Sequence, residues 1–533
     1  MKLTLRVSLW VIVSACTSMP AASSPVDVRD YGAQGDGISK DTAAIQKAID
    51  AAEKRGGGTV TLAPGRYLSG TIHLKSNVTL HLANGATLLA SPDNADFDPY
   101  ETLPFKSVSD NETTYFHYGL VTAENVHHIA ITGQGAIDGN RPKRRGPKTI
   151  AIKLCQYVTI RGITVQNSPN YSISFWGTDY IDIDGVTILN GYADGIDPDA
   201  SRYVRISNCY IDCNDDAICP KASPSMGMEN RRSTEHLTVT NCVLRTNCNN
   251  FKFGTESTGD LKHVTLSNCT MFPREKGRRP LSGIALESVD GANIDSVAIS
   301  NISMAGIETP LFVRLGNRGR GLSPPAPGSA QDISFNNIIA RGASMTSSVT
   351  GIPGHPVRRV SLSNITITME GGNREPKGLD VPEQIEKYPE GSMFGTLPSF
   401  GFYSRHAEGL ALSNVLLRWD KEDLRPAIIL DDVKDVTIDG FRTDTVAGNS
   451  PVVWLNNVTD ALIRGSRTAA ARSFLRVSGA ESKGITVVGN DLTRAERRIE
   501  ITDAPKSAVL ETGNAVAAAG ARRGAQAGAK KKS

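Results

Sequence analysis

The sequence has few aromatic residues and little net charge, and each shortage excludes a class of protein. Aromatic residues make up 6% of the 533 residues, whereas glycine occurs 50 times. This composition is typical of turn-rich β structure and not of helical bundles. The formal net charge is +3, which argues against a nucleic-acid partner.

Metal-binding cysteine motifs are also missing. The sequence contains no CxxC pair and no HExxH, so we expect no metal and no cofactor. Seven of the eight cysteines lie between Cys155 and Cys269. Three of them recur in the phrases SNC, TNC and SNC, which predicts stacked positions in a repeat: Cys209, Cys242 and Cys269. A single disulfide among Cys213, Cys219 and Cys248 is a further hypothesis, whose connectivity the spacing leaves open.

The N-terminus has the pattern of an export signal. Lys2 and Arg6 precede an apolar run to about Ala15, followed by small residues. This run is too short to span a membrane, and we predict a signal peptide over residues 1–24. The letters VSAC ending at Cys16 resemble a bacterial lipobox, and cleavage near Ala22 is the alternative. We therefore expect a secreted or periplasmic protein, which would touch a membrane only through a lipid anchor.

One short phrase repeats from about residue 77 to 490. Examples are YVTIRGITVQNSPN, YIDIDGVTILNG, YVRISNCYI, HLTVTNCVL and RVSLSNITI. Each is a period-two run, a small or Asn/Gly turn and another β-branched run, mostly 20 to 35 residues from the next. Such a period predicts a solenoid. An asparagine ladder can satisfy the turns of a parallel β-helix: Asn208, Asn241, Asn268, Asn301, Asn364 and Asn414.

The predicted fold class is all-β, a parallel β-helix in one domain over residues 25–510. A β-sandwich is the competing interpretation, but it needs hairpin turns such as Asn-Gly, which are scarce. A helix beginning near Ser39 or Asp41 has an apolar face and ends at Gly56, so it can cover the open end of the solenoid. Residues 511–533 are low in complexity and basic, which predicts a disordered tail.

The stretch from Ala193 to Ser223 is crowded with carboxylates: Asp194, Asp197, Asp199, Asp212, Asp215 and Asp216. Asp194 and Asp216 are 22 residues apart. That is about one coil, so they can stack roughly 4.8 Å apart, while Asp215 needs a local bend to reach the same cleft. Carboxylates this close cannot all ionise easily, so at least one pKa should rise. The other three aspartates are interpreted as structural.

These motifs resemble a known family. The opening VDVRDYGAQGDGISKDTAAIQKAID resembles that of bacterial pectin-acting β-helix enzymes. The later motifs GQGAIDG, NSPNYSISFWG, ADGIDPDAS and NDDAI are similar to successive landmarks of glycoside hydrolase family 28, the polygalacturonase-like family. The similarity runs from about Val26 to Asn301. It implies a right-handed β-helix that hydrolyses glycosidic bonds with inversion. It also implies that Asp215 is the general acid and that Asp194 and Asp216 hold the attacking water.

Two departures from the family pattern lie downstream. Asn249 or Asn250 stands where the family has the histidine of GHG, and Ala285 and Glu287 stand where it has the Arg and Lys of R-I-K. The departures predict an altered sugar-binding shell around retained acid/base groups. Candidates for that shell are Asn249, Lys221, Lys252, Glu256, Glu287 and Arg314, with Lys252 and Glu256 expected on one face of a strand.

The leading hypothesis is an exported, monomeric glycoside hydrolase that cleaves a pectic or related plant or algal polysaccharide. The insertions at residues 91–119 and 370–400 could close a groove into a pocket, which favours exo action. The alternatives are a calcium-dependent polysaccharide lyase on the same fold, with Lys252 or Arg314 as base, and a non-catalytic glycan-binding β-helix.

Overall fold

The computed structural model describes residues 24–375 and 377–517. The predicted signal peptide and Cys16 lie outside these residues, as does the predicted tail from residue 518. Every pair of strands in the described part is parallel, and each strand pairs with its counterpart one coil later. The strands form three stacks, as in a parallel β-helix.

The first stack runs the whole length of the described chain. Its strands are Val26–Asp27, Gly58–Leu62, Val78–Leu82, His127–Gly133, Gln156–Arg161, Asp179–Asp184, Arg202–Ser207, Thr234–Thr240, Leu261–Pro273, Asn293–Ala305, Ser329–Ala343, Val357–Gly371, Phe402–Lys421, Ile428–Asp439, Thr459–Arg464, Lys483–Val488 and Val509–Thr512. The last of these extends past residue 510, so residues 511 and 512 belong to the final coil.

The second stack begins as separate short strands, and in later coils it becomes continuous with the long strands of the first stack. Its separate strands are Asp36–Lys40, Gly65–Ser69, Ala86–Ala90, Ala136–Asp138, Thr164–Gln166, Thr187–Gly191, Tyr210–Cys213, Val243–Thr246 and Arg442–Thr443. From Leu261–Pro273 onward one long strand serves both stacks in each of several coils. The turn between the two stacks is where the asparagine ladder lies.

The third stack carries the site described below. Its strands are Ile72–His73, Gly119–Glu124, Lys148–Lys153, Ile173–Trp176, Ile196–Asp199, Asn249–Phe253, Ser282–Ser288, Thr309–Leu315, Ser347–Thr350, Val446–Asn456, Ala471–Ser478 and Ala495–Thr502. Between Ile196–Asp199 and Asn249–Phe253 the stack narrows to single bridges at Ile218. The chain bends at this point, and Asp215 and Asp216 lie at the bend.

Two rows of residues with a left-handed backbone conformation lie at the turns. The asparagine ladder is confirmed in part: Asn301 Nδ2 donates to Asn268 Oδ1 at 3.0 Å, and Asn414 Nδ2 donates to Asn364 Oδ1 at 2.8 Å. It is interrupted where Asn268 donates to Thr240 and Asn364 to Asn336. Asn301 has a φ of 57°, a conformation that asparagine tolerates better than most residues. A second row stacks aromatic rings at centroid distances of 4.5 to 5.3 Å: His128, Tyr157, Tyr180, Tyr203, His236 and His263.

The interior is apolar, and helix Thr42–Lys54 closes one end. Inward positions alternate with exposed ones along the strands, as in Asp179–Asp184, where Ile181 and Ile183 are fully buried. The helix buries the predicted face, and Gly56 follows its end with a φ of 89°. The other helices are single turns: Val28–Tyr31, Asn94–Asp96, Asn111–Thr114, Met228–Asn230 and Lys506–Ala508. Across the described ranges, no helix has the length and apolarity needed to cross a lipid bilayer.

Candidate active site

Asp194 and Asp216 occupy equivalent positions of two successive coils. Ile196 bridges Ile218 in parallel register, and the amide of Gly195 donates to the carbonyl of Asp216 at 2.9 Å. The spacing of 22 residues therefore corresponds to one coil, as the sequence predicts. Both side chains are almost fully buried, at 5% and 7% exposure.

Asp215 lies at the bend that the sequence predicts between these two positions. Its side chain is 26% exposed, so among the three aspartates it is the one that a substrate can reach most easily. Its Oδ1 accepts the amide of Asp216 at 3.1 Å, and its Oδ2 accepts Arg144 Nη1 at 2.5 Å. Arg144 is held in turn by Glu112, which lies on the short helix of the first insertion.

Lys221 neutralises the Asp194 side of the site. Its Nζ donates to Asp194 Oδ2 at 3.2 Å, to Asp197 Oδ2 at 3.0 Å and to the hydroxyl of Tyr171 at 3.0 Å. All four side chains are buried. Burial, and then the charge of Asp197, raise the pKa of Asp194 well above its ordinary value, although Lys221 opposes the shift. Asp197, which the sequence predicts to be structural, lies in strand Ile196–Asp199 and is part of the charged cluster.

Lys252 neutralises the Asp216 side. Its Nζ lies 3.2 Å from Asp216 Oδ2. Asp216 Oδ1 accepts both the amide, at 3.1 Å, and the side-chain Nδ2, at 2.7 Å, of Asn249. Burial alone would raise the pKa of Asp216, but Lys252 and Asn249 hold it below its ordinary value. The pKa of Asp194 is thus raised and that of Asp216 lowered, so Asp194 is the better proton acceptor of the two.

Asn249, the counterpart of the missing histidine, is at the site, whereas Asn250 is not. Asn249 contacts Asp216 directly, and its own Oδ1 is buried without a hydrogen bond. Asn250 points the other way along the strand, and its Nδ2 donates to the carbonyl of Leu244 at 3.0 Å. Strand alternation separates the two residues, so only the first can serve the aspartates.

Glu287 is fully buried behind Lys252, one coil further on. Its Oε2 lies 3.9 Å from Lys252 Nζ, and neither carboxylate oxygen makes a hydrogen bond. Burial raises the pKa of Glu287 to about 8, with Lys252 opposing and Asp216 reinforcing the shift. Lys252 Nζ also donates to the hydroxyl of Tyr388 at 3.0 Å. Tyr388 belongs to the second insertion and is 48% exposed, so this insertion reaches the site.

Two candidates from the sequence lie elsewhere. Arg314 is buried, and its guanidinium donates to the carbonyls of Gly351, Glu383 and Gln384. It therefore anchors the second insertion to the coil, and it does not contact the aspartates.

Glu256 is not on the strand that holds Lys252. The strand ends at Phe253, and Glu256 follows in a turn with a φ of 73°. The period-two alternation therefore breaks before Glu256, and the prediction of one shared face is wrong. Glu256 binds Arg320 at 2.6 Å and accepts the amide of Asp110 at 2.9 Å, which joins three loops. Burial raises its pKa to about 7.

The described cysteines form no disulfide, so the hypothesis of a bridge among Cys213, Cys219 and Cys248 is wrong. All seven are buried with free thiols. The thiol of Cys219 lies 3.7 Å from Asp216 Oδ2. These positions are packed like small apolar residues in the solenoid interior.

Two groups of side chains are close enough to share a metal ion. Asp194, Asp216 and Cys219 form one group and Asp215, Asp216 and Cys248 the other, each with ligand atoms within 4.8 Å of one another. Each group mixes a thiol with carboxylates, whereas calcium prefers six to eight oxygen ligands. Buried ammonium groups already contact two of these carboxylates, so we assign no metal site to either group.

Sequence reasoning missed Arg144, Glu112 and Tyr388. Arg144 lies in the loop that follows strand Ala136–Asp138, and the other two lie in the insertions. No repeat phrase or period contains them, so no periodic signal could have placed them. The one available signal is the length of the two insertions, which is typical of functional loops.

Comparisons with known proteins identify the family of this chain. Residues 71–385 match the family model for glycosyl hydrolases family 28. A probable polygalacturonase of Vitis vinifera is 27% identical over 364 residues, which cover 63% of this chain and 73% of that protein. An exo-poly-alpha-D-galacturonosidase of Dickeya chrysanthemi is 23% identical over 399 residues, which cover 63% of this chain and 65% of that protein.

A solved structure shows the same fold. The exopolygalacturonase of Thermotoga maritima has a TM-score of 0.59 at 19% identity, over 74% of this chain and 92% of that chain. This likeness confirms the right-handed parallel β-helix that the sequence predicts.

Proposed function

The chain belongs to glycosyl hydrolases family 28 and is a glycoside hydrolase, and we propose that it cleaves a galacturonate-containing pectic polysaccharide by inverting hydrolysis with Asp194, Asp215 and Asp216. The observation that carries this proposal is the difference in exposure among the three aspartates. Asp215 is partly exposed, and the other two are buried beside lysines. The names of the relatives support the substrate class.

The roles follow from the chemistry of each position. An inverting enzyme needs an acid that protonates the leaving oxygen and a base that activates a water on the opposite face of the sugar. Asp215 can approach the leaving oxygen because one side of it faces solvent. Asp194 has a raised pKa, which makes it the stronger base once it is ionised. Asp216 stays ionised and orients the water together with Asp194.

Exo action and export are part of the proposal. Both insertions reach the site, through Glu112 and through Tyr388, and loops in this position can block one end of a groove. Export rests on the charged and apolar pattern of residues 1–24. Release of monomer from the first time point would support exo cleavage, and early release of mixed oligomers would contradict it.

The test compares the wild type with Asp215→Asn on defined pectic and algal polysaccharides, with products separated by size. We expect a loss of about 10²- to 10⁴-fold in kcat for Asp215→Asn, and proton NMR should show inversion at the new reducing end. The matched control is Asp212→Asn, because Asp212 binds Arg245 and Arg274 away from the cluster. Full activity of Asp215→Asn would contradict the mechanism. Glycan binding without cleavage by the wild type would favour a non-catalytic protein.

A further inference from the structure

Three cations contact the aspartates of the site, and Arg144 is the most exposed of them. The side chain of Arg144 is 39% exposed, whereas Lys221 is 7% exposed and Lys252 is 3% exposed. The two lysines are enclosed by protein and by their own partners. Arg144 reaches Asp215 from a loop on the surface, between strands Ala136–Asp138 and Lys148–Lys153. Only Arg144 among these three can meet an incoming group without unfolding its surroundings.

An acidic sugar can bind at this site only beside a cation that can exchange one of its present carboxylate partners. Asp194 and Asp197 share Lys221, and Asp216 has Lys252. Arg144 has two carboxylate partners, Asp215 and Glu112. A further carboxylate that entered this cluster would be repelled unless it took the place of one already present. The ion pair between Asp215 and Arg144 is the one that can be exchanged, because Asp215 is partly exposed and must turn toward the substrate in any case.

We propose that Arg144 binds the carboxylate of the uronate unit at the cleaved bond, and that it exchanges Asp215 for this carboxylate when substrate enters. The proposal rests on the proposed hydrolysis and names its recognition residue. Arginine suits this task because its planar fork pairs with carboxylates in two parallel hydrogen bonds. Glu112 keeps the guanidinium in place during the exchange. The exchange also frees Asp215 Oδ2, which can then face the leaving oxygen.

Ala285 and Glu287 cannot supply this recognition. Ala285 carries no charge, and Glu287 is a fully buried carboxyl behind Lys252. Neither can bind a carboxylate group of the substrate. The recognition of an acidic sugar therefore falls to another cation, and among those that contact Asp194, Asp215 and Asp216 it is Arg144 that is partly exposed.

Arg278 is the competing cation, and the experiment includes it. Its side chain is exposed, and its Nε donates to the carbonyl of Asn247 at 2.8 Å. It forms no ion pair with another described residue, and its charge opposes the burial that raises the pKa of Glu308 and of Glu390. Asn247 in turn donates to Asn214, next to Asp215, at 2.9 Å. Arg278 thus lies near the site but does not touch an aspartate, and we assign it no role at the cleaved bond.

The experiment measures binding of trigalacturonate and of its fully methyl-esterified form by calorimetry. The background variant is Asp194→Asn, which stops hydrolysis and leaves Asp215 and Arg144 in place. In this background we expect the acid to bind about 10- to 100-fold more tightly than the ester. Adding Arg144→Gln should abolish that preference, and Arg144→Lys should restore part of it. Arg141→Gln is the matched control, because Arg141 lies on the same loop and donates to Asn94.

Each other outcome overturns the assignment. A preference that survives Arg144→Gln, that is lost instead with Arg278→Gln, or that is absent from the background variant excludes Arg144 as the recognition residue. An unchanged melting temperature of Arg144→Gln separates lost recognition from lost folding. The proposed function fails separately, if the wild type cleaves no pectic substrate, and this result does not depend on the ester preference.

Discussion

Glu287 lies directly behind Lys252, with its Oε2 3.9 Å from the ammonium and with no hydrogen bond to either carboxylate oxygen. The pair lies on the buried side of Asp216. A carboxyl buried without hydrogen bonds is expected to be uncharged over much of the pH range. This arrangement has a measurable consequence for stability.

The stability of the protein should fall as the pH rises toward 8, and Glu287→Gln should remove part of this fall. The pKa of Glu287 is raised from 4.5 to about 8. Its contribution is therefore fully present below about 4.5 and is lost as the pH rises through the folded value. By pH 9 the wild type should have lost at most about 5 kcal/mol more of its free energy of unfolding than the variant. Urea unfolding from pH 5 to pH 9 measures it, with Glu408→Gln, an exposed carboxylate, as control. Parallel pH profiles of variant and wild type would refute the prediction.

Lys252→Met should destabilise the protein and abolish most of its activity. Asp216 would remain buried without its counterion, and breaking a buried pair in this way costs about 3–5 kcal/mol. The control is Lys262→Met, since Lys262 pairs with Glu235 and Asp260 at the surface and should cost less than about 1 kcal/mol. Urea unfolding and kcat on the best substrate check both effects. Equal stability of the two variants would show that the pair is not buried as described.

Asp197→Asn should shift the acidic limb of the activity profile to lower pH. Burial, and then the charge of Asp197, raise the pKa of Asp194. Without the Asp197 carboxylate, Lys221 has Asp194 as its one remaining ion-pair partner, which lowers the pKa of Asp194 further. The base therefore ionises at lower pH. The pH dependence of kcat/KM measures the shift, with Asp212→Asn as control. An unmoved acidic limb would mean that Asp194 is not the group that limits activity in acid.

The asparagine ladder should tolerate glycine better than alanine. Asn301 has a φ of 57° and bonds to Asn268 and Asn337. Asn301→Gly loses the hydrogen bonds only, whereas Asn301→Ala also pays for the left-handed backbone, at about 1 kcal/mol more. Denaturant unfolding of the two variants tests the order. If alanine is tolerated as well as glycine, the backbone conformation does not require asparagine.

The seven described cysteines should all remain unreactive in the folded protein. They are buried and free, so a reductant should leave the melting temperature unchanged. A thiol reagent should label them only after unfolding, counted by mass spectrometry. A melting temperature that falls on reduction would reveal a disulfide.

The sequence predicts the coil architecture and the placement of the aspartates because both depend on a local period. A parallel coil of 22 residues forces Asp194 over Asp216, and a left-handed turn selects asparagine at Asn268 and Asn301. The same reasoning failed for Glu256, where a turn interrupts the alternation.

The rest of the site depends on contacts that no period encodes. Arg144 reaches Asp215 across 71 residues, and Tyr388 reaches Lys252 across 136. Both contacts are made by loops whose paths are decided by packing against the finished solenoid. The direction of the Asp194 pKa shift is also a tertiary effect, since Lys221 and Asp197 converge on it only after the coils stack.

The stacking of Asp194 over Asp216 separates two properties of the protein that are usually tied together. The distance between these carboxylates is set by the pairing of neighbouring coils, and the insertions that carry Glu112 and Tyr388 do not contribute to that pairing. The insertions can therefore be lengthened, shortened or exchanged without changing the spacing of Asp194 and Asp216. The spacing of these two carboxylates can thus be kept while substrate choice evolves, or is engineered, in the insertions.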